Sequence, residues 1–164
     1  MMTPPEDRVQ SVVLDCNVWI NDFLQKESDL RKKLLQEPYQ VILTSYMVVE
    51  ILRVLKRLSV RLSVSFSELE SLFWNVCSFN CIKMDFQKPF TESLVSEVKR
   101  APEFRMIVRL LDLEVKDVPY LVVTFQHNAI LVSNDLRSLV TKRDIIDKSL
   151  GIKILTSSEF LSKF

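Results

Sequence analysis

Four acidic residues stand where a carboxylate could do chemistry. Asp15 closes the apolar run Val12-Val13-Leu14, and Asp135 follows Ile130-Leu131-Val132-Ser133-Asn134. Glu50 lies early in a helical pattern after Thr44-Ser45, and Asp117 opens another in Asp117-Val118-Pro119-Tyr120. Each also has an ordinary reading. Asp117 and Asp135 sit at N-cap positions, as Asn17 could, where a side-chain oxygen accepts a backbone N–H left over at a helix start. Glu50 could pair with Arg53 three residues on. Glu50 is harder to dismiss, because Val48, Val49, Ile51 and Leu52 surround it and a carboxylate among apolar groups needs a partner or a metal. If the four converge they repel one another unless a cation neutralises them. Hard oxygen donors suit Mg²⁺ or Mn²⁺, with coordination positions left for water and substrate.

The elements that must position these groups follow from periodicity. Short apolar runs at 11–14, 39–43, 80–84, 129–132 and 152–155 read as strands. Segments 17–35, 46–62, 66–78, 90–112, 118–127, 136–149 and 157–163 carry the 3.6-residue period of helices. Ser65 with Glu68 has capping-box spacing, and Pro89 and Pro119 fit helix starts. Strands separated by helices imply right-handed βαβ units, a parallel sheet and helices on both faces. Ligands bind beyond the carboxyl ends of such strands, the edge to which all four acids belong. Residues 1–10 read as a flexible leader and 11–164 as one domain.

Composition narrows the chemistry. Average usage would give a chain of 164 residues about 11 glycines, and this one has only Gly151. Glycine-built phosphate loops of the GxGxxG and Walker A kinds are excluded. The net charge of +1 excludes a uniformly basic coat. It conceals a local cluster, because residues 51–61 hold Arg53, Lys56, Arg57 and Arg61 and no acid. On a helix, positions 50, 53, 57 and 61 share one face. That stripe is a candidate for the phosphate backbone of a polyanion, or else a solvated charged face. Arg137, Lys142 and Arg143 form a weaker second patch. Cys16, Cys77 and Cys81 lack CxxC spacing and have one histidine, His127, to join them. Zinc is not indicated, and reduced thiols in a cytoplasmic setting are expected. No apolar stretch reaches membrane-spanning length. Phe66, Leu69, Leu72, Phe73, Val76 and Phe79 make one helix unusually apolar, which implies core packing or, on the other reading, a homodimer face. Trp19 and Trp74 are expected in the core, and His127 at an exposed helix end.

The chain resembles the PIN domain family, close to the small prokaryotic proteins that include the VapC-type toxin nucleases. The matching pieces are VVLDCNVWI (12–20), TSYMVVEIL (44–52), KDVPYLVVTF (116–125), ILVSND (130–135) and GIKIL (151–155), in the family's order. The resemblance implies an α/β fold of three layers, with a five-stranded parallel sheet in order 3-2-1-4-5. Carried over by position, it implies an acidic quartet of Asp15, Glu50, Asp117 and Asp135 that holds Mg²⁺ or Mn²⁺, with Asn17 and Ser133 as supporting polar groups. It further implies a metal-dependent ribonuclease, the toxin of a toxin–antitoxin pair with an antitoxin partner, and a homodimer. Alternatively the chain is a catalytically weak PIN module that binds RNA or a protein. Cys16 stands where many relatives have a small hydroxyl residue, and Val122, Val123 and Phe125 replace their small residues. A phosphotransfer reading with Asp15 as nucleophile fits less well. Haloacid dehalogenase-like enzymes need Asp-x-Asp where this chain has Asp15-Cys16-Asn17, and receivers need a lysine after the last strand.

Overall fold

A computed structural model of the chain describes residues 9–36, 38–85, 109 and 115–163. Its strands are β1 (Gln10–Leu14), β2 (Tyr39–Thr44), β3 (Ile82–Asp85), β4 (Ile130–Val132) and β5 (Lys153–Leu155). Every neighbouring pair is parallel and the order is β3-β2-β1-β4-β5, as expected. Consecutive strand residues point to opposite faces. Val12, Val13 and Leu14 are all fully buried, as are Val41, Ile42 and Leu43, so both faces of the sheet centre are covered. β3 lies at an edge, where Met84 is exposed. The register aligns Leu14 with Val132 and Val132 with Leu155. It therefore brings Asp15, Ser133 and Thr156 out together beyond three adjacent strand ends.

The helices are α1 (Cys16–Val18), which passes into a π-helical turn at Trp19–Phe23, then α2 (Asp29–Gln36), α3 (Ser45–Leu62), α4 (Phe66–Cys77), α5 (Val118–Gln126), α6 (Arg143–Leu150) and α7 (Ser157–Lys163). Against expectation, the 17–35 pattern is not one helix. The Arg31 guanidinium takes the carbonyls of Phe23, Gln25 and Lys26 at 2.6, 2.8 and 3.0 Å, and Ser28 Oγ accepts Arg31 N–H at 3.0 Å to restart the chain as α2. The 136–149 pattern also shortens, to α6, because the residues after Asp135 form turns instead. The pattern at 90–112 and Pro89 lie outside the described residues, Arg109 apart, as do residues 1–8 of the expected leader. β1 begins at Gln10, within that leader.

Capping corrects the expectation too. Ser65 makes no side-chain cap bond, and only its carbonyl accepts Glu68 N–H, at 3.2 Å. A capping box forms instead at α7. Thr156 Oγ1 accepts Glu159 N–H at 3.2 Å, and Glu159 Oε1 accepts Thr156 N–H at 3.1 Å. Gly151 ends α6 in the left-handed region at φ 68°. With no other glycine available, Ser63 and Asn128 take up the remaining described left-handed positions.

The core absorbs most of the apolar helix. Phe73 and Val76 are buried, while Phe66, Leu69 and Phe79 pack partly buried against them. Trp19 is fully buried and meets Phe23 and Phe73 edge-on at 4.7 and 5.9 Å. Trp74, expected in the core, is 40% exposed, because its neighbour Phe73 takes the inward side of α4. Leu72 is exposed as well. His127 is half-buried at the end of α5 and pairs with Asp85 Oδ2 at 3.2 Å, so it is more than a surface residue. The three cysteines are buried free thiols, and burial pushes the Cys77 thiol up to about 12. Among the described residues no helix is long and apolar enough to cross a membrane.

Candidate active site

Asp15 leaves β1 into a confined space. The sheet ladder continues one step past the strands, since Asp15 N–H reaches Val132 O at 3.0 Å and Ser133 N–H reaches Leu155 O at 2.9 Å. The Asp15 carboxylate is buried and accepts at both oxygens, from Cys16 N–H at 2.8 Å and from Ser133 Oγ at 2.9 Å. Asp15 is thus the N-cap of α1, the place considered for Asn17, which is exposed in the first turn. Burial raises the Asp15 pKa. Hydrogen bonds from Ser133 and Cys16 oppose the rise, and the nearby charges of Glu50 and Asp135 add to it.

Asp117 comes at the end of a 3₁₀ turn (Val115–Asp117), directly before α5. It makes no side-chain cap bond, in part because Pro119 removes one N–H that a capping carboxylate would take. Its Oδ2 accepts instead from buried Ser138 Oγ at 3.1 Å, across the gap to the segment after β4. Burial, followed by the charge of Asp15, pushes Asp117 up to about 6. Glu50, in the second turn of α3, accepts from Tyr120 Oη at 2.9 Å rather than pairing with Arg53. Asp135 does serve its turn: its Oδ1 accepts Arg137 N–H at 3.1 Å, and its own N–H donates to Ser133 Oγ at 3.2 Å. The four carboxylates therefore share one edge of the sheet, and Asp15 feels Glu50 and Asp135 while Asp117 feels Asp15 and Asp135.

The solved crystal structure of VapBC2 from Rickettsia felis, bound to a DNA fragment from their promoter, contains a chain of the same architecture. The superposition covers 90% of this chain and 98% of that one, with a TM-score of 0.61 and 13% sequence identity. The fold is that of a PIN domain. At that identity the likeness establishes the PIN fold and nothing finer. No protein-family profile matches the sequence, and no curated protein matches it either.

Within the PIN fold, the donor chemistry at the sheet edge fits a hard divalent cation: hard oxygens, partly buried, with negative charges that repel one another. Yet among the described residues no three His, Cys, Asp or Glu side chains stand as a ready-made cage. Their oxygens are engaged by Cys16, Ser133, Tyr120 and Ser138. Mg²⁺ tolerates such sparse ligation, since it keeps several waters and takes only one or two carboxylates.

Several contributors escape a reading of acids alone. Ser138 and Tyr120 each hold a quartet member. Asn134 joins Ser157 and Asp22 in a clasp: its Nδ2 donates to Ser157 Oγ at 2.8 Å and to Asp22 Oδ2 at 3.1 Å, while its Oδ1 accepts Ser157 N–H at 3.0 Å. The clasp ties the segments after β1, β4 and β5 together beside the acids. The signal available for Tyr120 was its place three residues past Asp117, one face of one helix. Arg53, Lys56, Arg57 and Arg61 are all exposed along α3, and among the described residues none is in an ion pair. At 1.5 Å per residue the stripe runs about 16 Å from Glu50. The second basic patch is weakened, because Arg143 is committed to Glu159 at 2.5 Å and holds that carboxyl down to about 2.

Proposed function

We propose that this chain is a metal-dependent endoribonuclease acting through Asp15, Glu50, Asp117 and Asp135, with Asn17 and Ser133 in support. The observation that carries the reading is the pair of buried carboxylates, Asp15 and Asp117, set at one sheet edge from distant segments, with the Asp15 charge adding to the raised proton affinity of Asp117. Such an arrangement opposes folding unless it serves an ion or a substrate. A bound Mg²⁺ or Mn²⁺ would supply Lewis acidity and a more acidic water. Asp15 and Glu50 would hold the ion with Asp135, and Ser133 keeps Asp15 oriented. Asp117, its Oδ2 held by Ser138 Oγ, would join the ligands or orient the attacking water. The α3 stripe would guide the RNA backbone to this edge.

The likeness to VapBC2 supports the toxin of a toxin–antitoxin pair as the biological setting, with an antitoxin as partner. Leu72 is the exposed apolar residue of the α4 face that a homodimer would cover. The purified protein should cleave RNA with Mn²⁺ or Mg²⁺ and stop in EDTA. Equal, metal-independent degradation by wild type and Asp15→Asn would refute the enzyme. The lack of a ready-made three-ligand cluster favours one second reading, a catalytically weak PIN module that binds RNA without cutting it. RNA retention by the wild type, with no products in either metal, would select it.

A further inference from the structure

α5 delivers two groups to the site. Asp117 precedes it, and Tyr120 lies three residues on, so both look the same way from the first turn. Tyr120 is 1% exposed, its ring meets Tyr46 edge-on at 6.0 Å, and its hydroxyl reaches Glu50 Oε1 at 2.9 Å. Tyr46 Oη in turn donates to the Lys116 carbonyl at 3.2 Å, which ties α3 to the turn before α5. Glu50 therefore sits on one helix and takes a hydrogen bond from another, with the Tyr46 and Cys16 side chains also facing it.

The chemistry of the donor matters. A lysine or arginine here would neutralise Glu50 and compete with a cation. A tyrosine holds one carboxylate oxygen and leaves the negative charge in place. A tyrosine phenol is neutral at ordinary pH, so its hydroxyl is the donor to Glu50 Oε1.

We propose that Tyr120 is a positioning residue for Glu50, fixing one carboxylate oxygen so that the side chain presents its charge to a divalent cation shared with Asp15. The inference rests on the metal-dependent reading above. Removing an outer hydrogen-bond partner of a metal-holding group typically weakens the metal by 10–100-fold.

Calorimetric Mn²⁺ titration of the full chain tests it without reference to cleavage. Tyr120→Phe keeps the ring against Tyr46 and removes only the hydroxyl; it should bind Mn²⁺ about 10-fold more weakly than wild type, with an unchanged circular dichroism spectrum. Glu50→Gln should weaken binding at least as much. If Glu50→Gln weakens Mn²⁺ and a folded Tyr120→Phe binds as wild type does, Tyr120 has no positioning role. If wild type itself binds no Mn²⁺, the metal reading falls and the inference with it. A Mg²⁺ titration followed by tyrosine near-ultraviolet absorbance covers the case in which Tyr120→Phe does not fold. A change in wild type that Glu50→Gln abolishes supports the link, and no change in wild type overturns it.

Discussion

Two charged regions of this molecule obey different physics. At the sheet edge, Asp15 and Asp117 are buried, each carboxylate has a hydroxyl partner, and their proton affinities are raised. Along α3, Arg53, Lys56, Arg57 and Arg61 stand in solvent, where salt and water screen them within about 10 Å. Exposed charges change stability little, whereas a buried charge is felt strongly by everything near it. The acids are thus placed where their charge has leverage, and the basic residues where charge can meet a polyanion without disturbing the fold.

The sharpest way to break this contrast is at Asp15. Asp15→Asn should drop RNA cleavage below detection in Mn²⁺ while the circular dichroism spectrum stays the same; retained cleavage would remove the acids from the chemistry. Ser133→Ala comes next. It strips one hydrogen bond from a buried carboxylate, and urea unfolding at pH 7 should show a loss of about 1–2 kcal/mol.

Asp117 gives an effect of similar size with the opposite sign. Its folded pKa of about 6 lies above the ordinary 3.8, so the folded state binds this proton more tightly. The group's contribution to stability is present in full below about pH 4 and is lost as pH rises through 6. Metal-free Asp117→Asn should accordingly be more stable than wild type at pH 8, by about 1–2 kcal/mol, and the gain should vanish near pH 4. Thermal melts at the two pH values in EDTA decide it.

The smallest stability change belongs to the stripe. Arg57→Gln with Arg61→Gln should alter stability by no more than about 0.5 kcal/mol. RNA binding should weaken, with the salt dependence shallower by about 0.7 for each phosphate that the variant no longer neutralises. A stability loss as large as that of Ser133→Ala would mean that the stripe is a structural face, and the contrast would collapse.

Much of the frame was legible from residue types. A β-branched run can bury both faces only as a central strand, so β1 and β2 announced themselves, and alternation with helical periods specified parallel pairing. Asp15 followed from its place after such a run. Features that depend on side-chain competition were not legible. Ser65 and Glu68 have the spacing of a capping box, yet Thr156 and Glu159 form one, and nothing local separates the two pairs. Arg31 divides an apparently continuous helix by reaching back to three carbonyls, a choice its spacing does not reveal. Trp74 and Phe73 are adjacent, and only the packed core decides which of them turns inward.

The sequence by itself determined the class of fold, the strand ends that carry acids, the exclusion of glycine-built phosphate loops and the basic face of α3. These rest on local periodicity and residue type. The tertiary structure alone decided which neutral groups meet those acids: Ser133 on Asp15, Ser138 on Asp117, Tyr120 on Glu50. The partners lie 118, 21 and 70 residues from their carboxylates. A hydrogen bond needs an approach to about 3 Å, and over such separations only the packed register of the sheet and its helices brings the groups that close.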